Sequence, residues 1–277
     1  MATAQDYVEA FHSPEAIARV SILGVGISRI TLQQTLELMS AWIRRRERRR
    51  ICVVPTNSIL AAYRDPRLRT VYNTADLVLP DGMPVVWASR LYGPPLPERV
   101  TGLDLFPAFC ARAAQEGFRM FLLGSHPEVL RKLVQLLPRR YPGLRLVGYY
   151  SPPFRPRLRE ADNALIMERI AQAQPEVLWV SLGAPKQDLW IAENLERLPN
   201  LIAIGIGAAL DAEAGRWRRA PRWMQRAGLE WLARLVQEPR RLARRYLLEA
   251  PLFIPLVLRD ALGARFAKGE ASYERPA

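Results

Sequence analysis

Histidine and cysteine are scarce in this chain, two of each in 277 residues, and that scarcity excludes several chemistries at once. Cys52 and Cys110 stand in apolar surroundings without CxxC spacing, which argues against a disulfide framework or a structural zinc site and favours a reducing, cytosolic setting. There is no HxH, HExxH, GxxxxGK[ST] or GxSxG pattern, and none of the nine aspartates forms a DxD pair. Metalloprotease, P-loop and serine-hydrolase chemistry therefore have no motif here, and neither a metal nor a cofactor is expected. Long hydrophobic runs are missing too. The greasiest late stretch, Ala250 to Leu258, is nine residues with two prolines, against about 20 for a membrane-spanning helix. The opening residues MATAQDYVEAFHSPEAIARV lack a charged segment followed by an apolar one, so no signal peptide is expected.

Acidic residues are also under-represented, 27 against 40 lysines and arginines, for a net charge of +13. The excess is concentrated. Residues 216 to 245 hold ten arginines against Glu230 and Glu238 and so carry +8 of it, and such a segment seeks an anionic partner: nucleic acid, an acidic lipid surface or a phosphorylated substrate. The run Arg44 to Arg50 reads instead as a solvated end of an amphipathic helix beginning near Thr31, where cations suit the helix dipole.

What is present is a repeating unit. Short apolar runs, each closed by a polar or glycine-containing turn and followed by a helical stretch, recur at spacings of about 30 residues, which implies a parallel sheet with helices on both faces, an α/β Rossmann-like fold. Ile51 to Val54 runs into Pro55-Thr56-Asn57, and Leu77 to Leu79 into Pro80-Asp81-Gly82. Arg119 to Leu123 is closed by Gly124-Ser125, a plausible anion cradle at a helix N-terminus. Val177 to Leu182 leads to Gly183-Ala184-Pro185-Lys186-Gln187, and Leu201 to Ile206 to Gly207 and Asp211. Such a sheet brings all five turns to one edge, where ligands bind. Helix capping is the alternative for Asp81, Thr56 and Asn57 taken singly. Ser21 to Ile27 reads as a first strand; its Gly24-Val25-Gly26 lacks the third glycine and the acidic residue of a dinucleotide site. The proline-rich loop YGPPLPERVTGLDLF adds Arg99 to the polar inventory.

The blocks VLPDGMPVVWASR, PERVTGLDLF, FLLGS, VSLGAPKQDLWIAEN, IGIGAALDAEAG and RRAPRWMQRAGLEWLARLVQEPRR, in this order, resemble the WecG/TagA/CpsF family of bacterial glycosyltransferases over roughly residues 20 to 247. The resemblance implies transfer of a sugar from a UDP-sugar to a polyprenyl-diphosphate-linked N-acetylglucosamine, with inversion, without a metal, at the cytoplasmic face of the membrane. It assigns the catalytic base to Asp81. It assigns Asn57 and Gln187 to positioning sugar hydroxyls or the acetamide, with Thr56 beside them, although the family's Thr-x-Asn stands here as Pro55-Thr56-Asn57. Gly124, Ser125, Gly183, Lys186 and Arg99 complete the expected substrate contacts in the core.

The chain is thus expected to divide into a core, 1–215, and a basic membrane-docking appendage, 216–277. Trp223, Ala227, Trp231 and Leu235 recur every four residues with Met224 and Leu232 beside them, the face of an interfacial helix rimmed by arginine; the same stripe would also suit packing on the core. The resemblance assigns Arg234, Arg241 and Arg244 to the substrate's diphosphate, and Pro239 is placed to open a second helix between them. No helix-turn-helix, zinc-finger or RNP signature supports nucleic acid as the partner.

Overall fold

A computed structural model describes residues 17–273. Residues 1–16, most of the stretch that lacks a signal-peptide pattern, and the last four residues of the 216–277 segment lie outside the described residues.

Six strands form one all-parallel sheet in the order β4-β3-β8-β7-β5-β6. They are β3 (Arg49–Pro55), β4 (Leu77–Asp81), β5 (Arg119–Gly124), β6 (Arg145–Tyr150), β7 (Val177–Ser181) and β8 (Ile202–Gly205). Except in the half-exposed edge strand β6, the apolar runs are continuous, not alternating, because both sheet faces are covered. Side chains alternate between two sides all the same. Ile51, Val53, Leu77, Leu79, Trp179 and Ile204 enter one core with α1 (Leu32–Arg44), α5 (Gly102–Glu116) and α6 (Pro127–Arg140). Cys52, Val54 and Val78 enter another with α2 (Thr56–Arg64), α3 (Pro66–Asn73) and α4 (Met83–Ser89). Phe121, Leu178 and Val180 meet α7 (Glu160–Ala173) and α8 (Lys186–Asn194) in a third cluster. Trp179, fully buried, packs edge-on against Phe106 and Phe109 at centroid distances of 5.1 and 5.5 Å.

Helix starts follow local chemistry. Thr31 and Gln34 close a capping box on α1, and Asp65 accepts from the Arg67 and Leu68 amides with Pro66 at the first position of α3.

The stretch expected to be a first strand folds differently. Arg19–Ile22 (β1) and Val25–Ser28 (β2) form an antiparallel hairpin turned at Leu23 and Gly24, whose φ values of 51° and 81° are both left-handed. It leans on β4, where the Ser28 hydroxyl accepts from the Val78 amide at 3.1 Å. Gly24 and Gly26 therefore serve a turn and a strand, not a nucleotide loop.

After α9 (Ala209–Glu213), the chain continues as α10 (Arg222–Arg226), α11 (Glu230–Gln237), α12 (Pro239–Ala243), a π-helical turn over Arg244–Glu249 and α13 (Phe253–Tyr273). Pro239 does open a helix. The expected single stripe from Trp223 to Leu235 is broken, because Gly228 between α10 and α11 takes φ 68°, outside helical space. A Cβ there would lie 2.4 Å from the Trp87 ring, so the break is where the tail presses onto α4. Farther on, α13 returns to the core and buries Phe253 and Val257 in the second cluster.

Candidate active site

A parallel sheet delivers every strand's following turn to one edge, so β3, β4, β5, β7 and β8 all contribute there. Pro55 pairs in register with Asp81, which sets Thr56 and Asn57 beside that carboxylate. Capping accounts for none of the three. The N-cap of α2 is Pro55, with Thr56 and Asn57 already inside the helix; the N-cap of α4 is Gly82, at φ 106°. Asp81 is the last residue of β4 and half-buried.

Arg99 reaches the same neighbourhood because the Val100 amide donates to the Pro80 carbonyl at 2.9 Å. Its guanidinium, 16% exposed, pairs with Glu230 at 2.7 Å, donates to the Gln225 side chain at 2.9 Å and lies 3.6 Å from Asp104. Arg219 bridges the same two acids, Asp104 at 2.7 Å and Glu230 at 3.0 Å. Arg99 therefore joins core to tail.

A second group forms across β5, β7 and β8. Gly124 has φ 97°, and a Cβ on it would stand 2.4 Å from the Ser181 carbonyl oxygen, so only glycine fits. This close approach lets the Ser125 amide donate to that oxygen at 2.7 Å. The Ser125 hydroxyl then donates to Asp211 at 3.1 Å, the Ser151 hydroxyl to the Ser125 carbonyl at 2.7 Å, and the Ser181 hydroxyl to the Gly207 carbonyl at 2.6 Å. Beside Gly183 and Gly207 there is open space into which a ligand can approach the backbone.

Lys186 donates its ammonium to the Arg155 carbonyl, tying the turn to the loop before α7; burial lowers its pKa, with Asp162 opposing. Gln187 is 1% exposed and accepts from the Gly207 amide at 3.0 Å. It lies against Gly205, whose missing side chain leaves the room, and so holds the neighbouring turn from below.

The tail arginines separate. Arg234, 8% exposed, stacks 3.5 Å above the Trp217 ring and pairs with Glu238 at 2.7 Å. Burial lowers its pKa, and Glu238 leads the groups that oppose this. Arg241 reaches the same Glu238 oxygen at 2.8 Å. Arg244 does not join them; it is 85% exposed and faces Glu249 at 3.3 Å. Asp211, absent from the expected contacts, sits between Ser125 and Arg216, the latter at 3.5 Å. Its signal was the acid in the fifth turn, but Ser125 lies 86 positions away.

Among the described residues, no cluster of three or more His, Cys, Asp or Glu could hold a metal. No helix of the described residues is long and apolar enough to cross a membrane.

Residues 20–267 match the model of the glycosyl transferase WecG/TagA/CpsF family. The chain is 33% identical over 198 residues to an N-acetylglucosaminyldiphosphoundecaprenol N-acetyl-beta-D-mannosaminyltransferase of Bacillus spizizenii, covering 72% of this chain and 74% of the relative. A protein of the same name from Bacillus subtilis is 32% identical over 210 residues, 76% of this chain and 79% of the relative. The matched span takes in both groups of turn residues and most of the arginine-rich tail, and the chain belongs to the WecG/TagA/CpsF family and is a glycosyltransferase.

Proposed function

We propose that the enzyme transfers N-acetylmannosamine, or a closely related sugar, from a UDP-sugar to polyprenyl-diphosphate-linked N-acetylglucosamine, with inversion and without a metal, in the assembly of a cell-surface polymer. The observation that carries this reading is Asp81 at the sheet edge beside Thr56 and Asn57, with none of these three used as a helix cap. In an inverting transfer the acceptor hydroxyl oxygen bonds to the anomeric carbon as the bond to UDP breaks. The hydroxyl proton passes to the Asp81 carboxylate, and the electron pair of the broken bond leaves on the diphosphate. Thr56 and Asn57 orient sugar hydroxyls, and the open space beside Gly183 and Gly207 admits the donor. The departing negative charge needs cations, which Arg234 and Arg241 supply from the tail. The names of the two Bacillus relatives support the choice of sugar and acceptor.

Attachment to the inner membrane face belongs to the same reading. Val236 on α11, Leu248 and Ile254 are 64–74% exposed, and arginines flank them. Co-sedimentation with anionic vesicles, falling as salt is raised and absent for duplex DNA, separates this from nucleic-acid binding.

The deciding experiment measures UDP release with a short-chain lipid-linked N-acetylglucosamine acceptor. Asp81→Asn should keep the wild-type circular dichroism and lose about two to four orders of magnitude in turnover. Near-normal turnover sinks the assignment.

A further inference from the structure

Beside the Asp81 turn lies a groove of about 710 Å³ between α4, the start of α1, the proline-rich loop and α10. Four arginines line it, Arg29, Arg90, Arg99 and Arg226, with two acids, Glu98 and Asp104. The acids are already engaged. Glu98 accepts from the Leu32 amide at 2.7 Å at the start of α1, and Asp104 pairs with Arg219 and Arg99. Of the arginines, only Arg99 has a carboxylate partner; among the described residues none lies in ion-pair range of Arg29, Arg90 or Arg226. Arg29 is nevertheless held in place, its Nε donating to the Pro95 carbonyl at 3.3 Å. The groove thus carries uncompensated positive charge, which selects an anion with several oxygens.

The rest of the accessible wall is apolar: Leu32, Met83, Pro95 and Pro97. A free nucleotide gains little from such a surface, whereas a diphosphate bearing a hydrocarbon chain matches both halves. Position agrees with chemistry. Met83 lines the groove two residues beyond Asp81, so a sugar linked to a diphosphate held here lies next to the Asp81 turn.

We propose that this groove is the acceptor site, holding the diphosphate and the first isoprene units of a prenyl-diphosphate-linked sugar, with Arg29 and Arg90 on the phosphates. The assignment rests on the transfer reaction proposed above and adds to it the surface that recognises the acceptor, separate from the open space beside Gly183 and Gly207 on the donor side.

Calorimetric titration of the full chain with farnesyl diphosphate, inorganic diphosphate and UDP tests it. Wild type should bind farnesyl diphosphate more tightly than inorganic diphosphate. Arg29→Ala and Arg90→Ala should each weaken farnesyl diphosphate about tenfold, the scale of a hydrogen bond to a charged group, and leave UDP unchanged. In steady state both should raise KM for the lipid-linked acceptor and spare KM for the donor. Unchanged farnesyl diphosphate binding in both variants, or an equal loss for UDP, overturns the groove assignment while wild-type transfer activity leaves the reaction standing. If wild type transfers no sugar to the lipid-linked acceptor yet the variants still lose farnesyl diphosphate, the reaction falls and the prenyl-diphosphate site survives.

Discussion

Asp188 offers a direct test of the interior beneath the active site. It sits in the first turn of α8 at 1% exposure; one carboxylate oxygen accepts from the Tyr72 hydroxyl at 3.3 Å and the other, buried, has no hydrogen-bond partner. Burial pushes its pKa up from 3.8 to about 7, against the Tyr72 hydrogen bond, the neighbouring Cys52 thiol and the charge of Arg50. The native state therefore holds a proton that the unfolded chain releases. The resulting stabilisation is fully present below pH 3.8, declines as pH rises, and is lost above about 7. The slope is about 1.4 kcal/mol per pH unit within that window, so between pH 5 and 7 the loss amounts to roughly 3 kcal/mol. Asp188→Asn keeps a neutral side chain of the same shape at every pH. Urea unfolding of both proteins at pH 5, 6, 7 and 8 should show wild type losing stability relative to the variant by about that amount from 5 to 7, then levelling off. Parallel curves from pH 5 to 8 would mean that Asp188 is ionised in the folded protein, and the reasoning fails.

Other expectations follow from the same edge of the sheet. Gly124→Ala adds a Cβ at 2.4 Å from the Ser181 carbonyl oxygen in a left-handed backbone, and should cost about 2–4 kcal/mol in thermal or urea unfolding. An unchanged melting temperature would show that the turn relaxes freely. Transfer activity should be undiminished by EDTA, since the sequence has no DxD pair and the described residues offer no metal cluster; a strict requirement for added Mg²⁺ or Mn²⁺ would contradict this.

The five strands that carry the active-site turns were legible because each holds a continuous apolar run closed by a turn of a different composition; β6, RLVGYY, is half exposed and less uniform. Periodicity could place Asp81, Thr56 and Asn57 on one edge; only the backbone shows that Pro55 and Gly82, not these residues, occupy the caps. The hairpin was hidden because its left-handed turn uses Leu23-Gly24 in place of the asparagine or aspartate that usually signals it. Helix α3 has only three apolar residues in eight, Leu68, Val71 and Tyr72, although Asp65-Pro66 does mark its start. Gln187 resembles an exposed polar group after a strand. It is buried because Gly205, eighteen residues later on the adjacent strand, leaves a slot, and that pairing has no local signature. In the tail, the period-four stripe runs straight through Gly228, where contact with Trp87 imposes the break.

That break makes the tail's attachment a matter of specific contacts. Two arginines and two acids alternate in the cluster Arg99–Glu230–Arg219–Asp104, and each cation touches both anions. Arg99 and Glu230 are each 16% exposed, so solvent screens their pairing less than it does a surface pair. Deleting everything from residue 216 is a blunt test of this attachment, because it also strips Phe253 and Val257 from the second core and so lowers stability as well as activity. The pair itself is better interrogated by Arg99→Gln, Glu230→Gln and the double variant. Each single change leaves a partner charge partly buried and should loosen the tail; the double change should restore much of the loss, giving a coupling of about 1–3 kcal/mol. Protease cleavage within residues 216–245 reports the loosening, and kcat with a soluble acceptor reports whether the docked tail, with Arg234 and Arg241, takes part in the transfer step as proposed. Docking through these contacts requires that cleavage rate rise and kcat fall together in the single variants. If either single variant cleaves faster while kcat with the soluble acceptor stays at the wild-type value, the tail arginines contribute to membrane attachment alone and not to the transfer step.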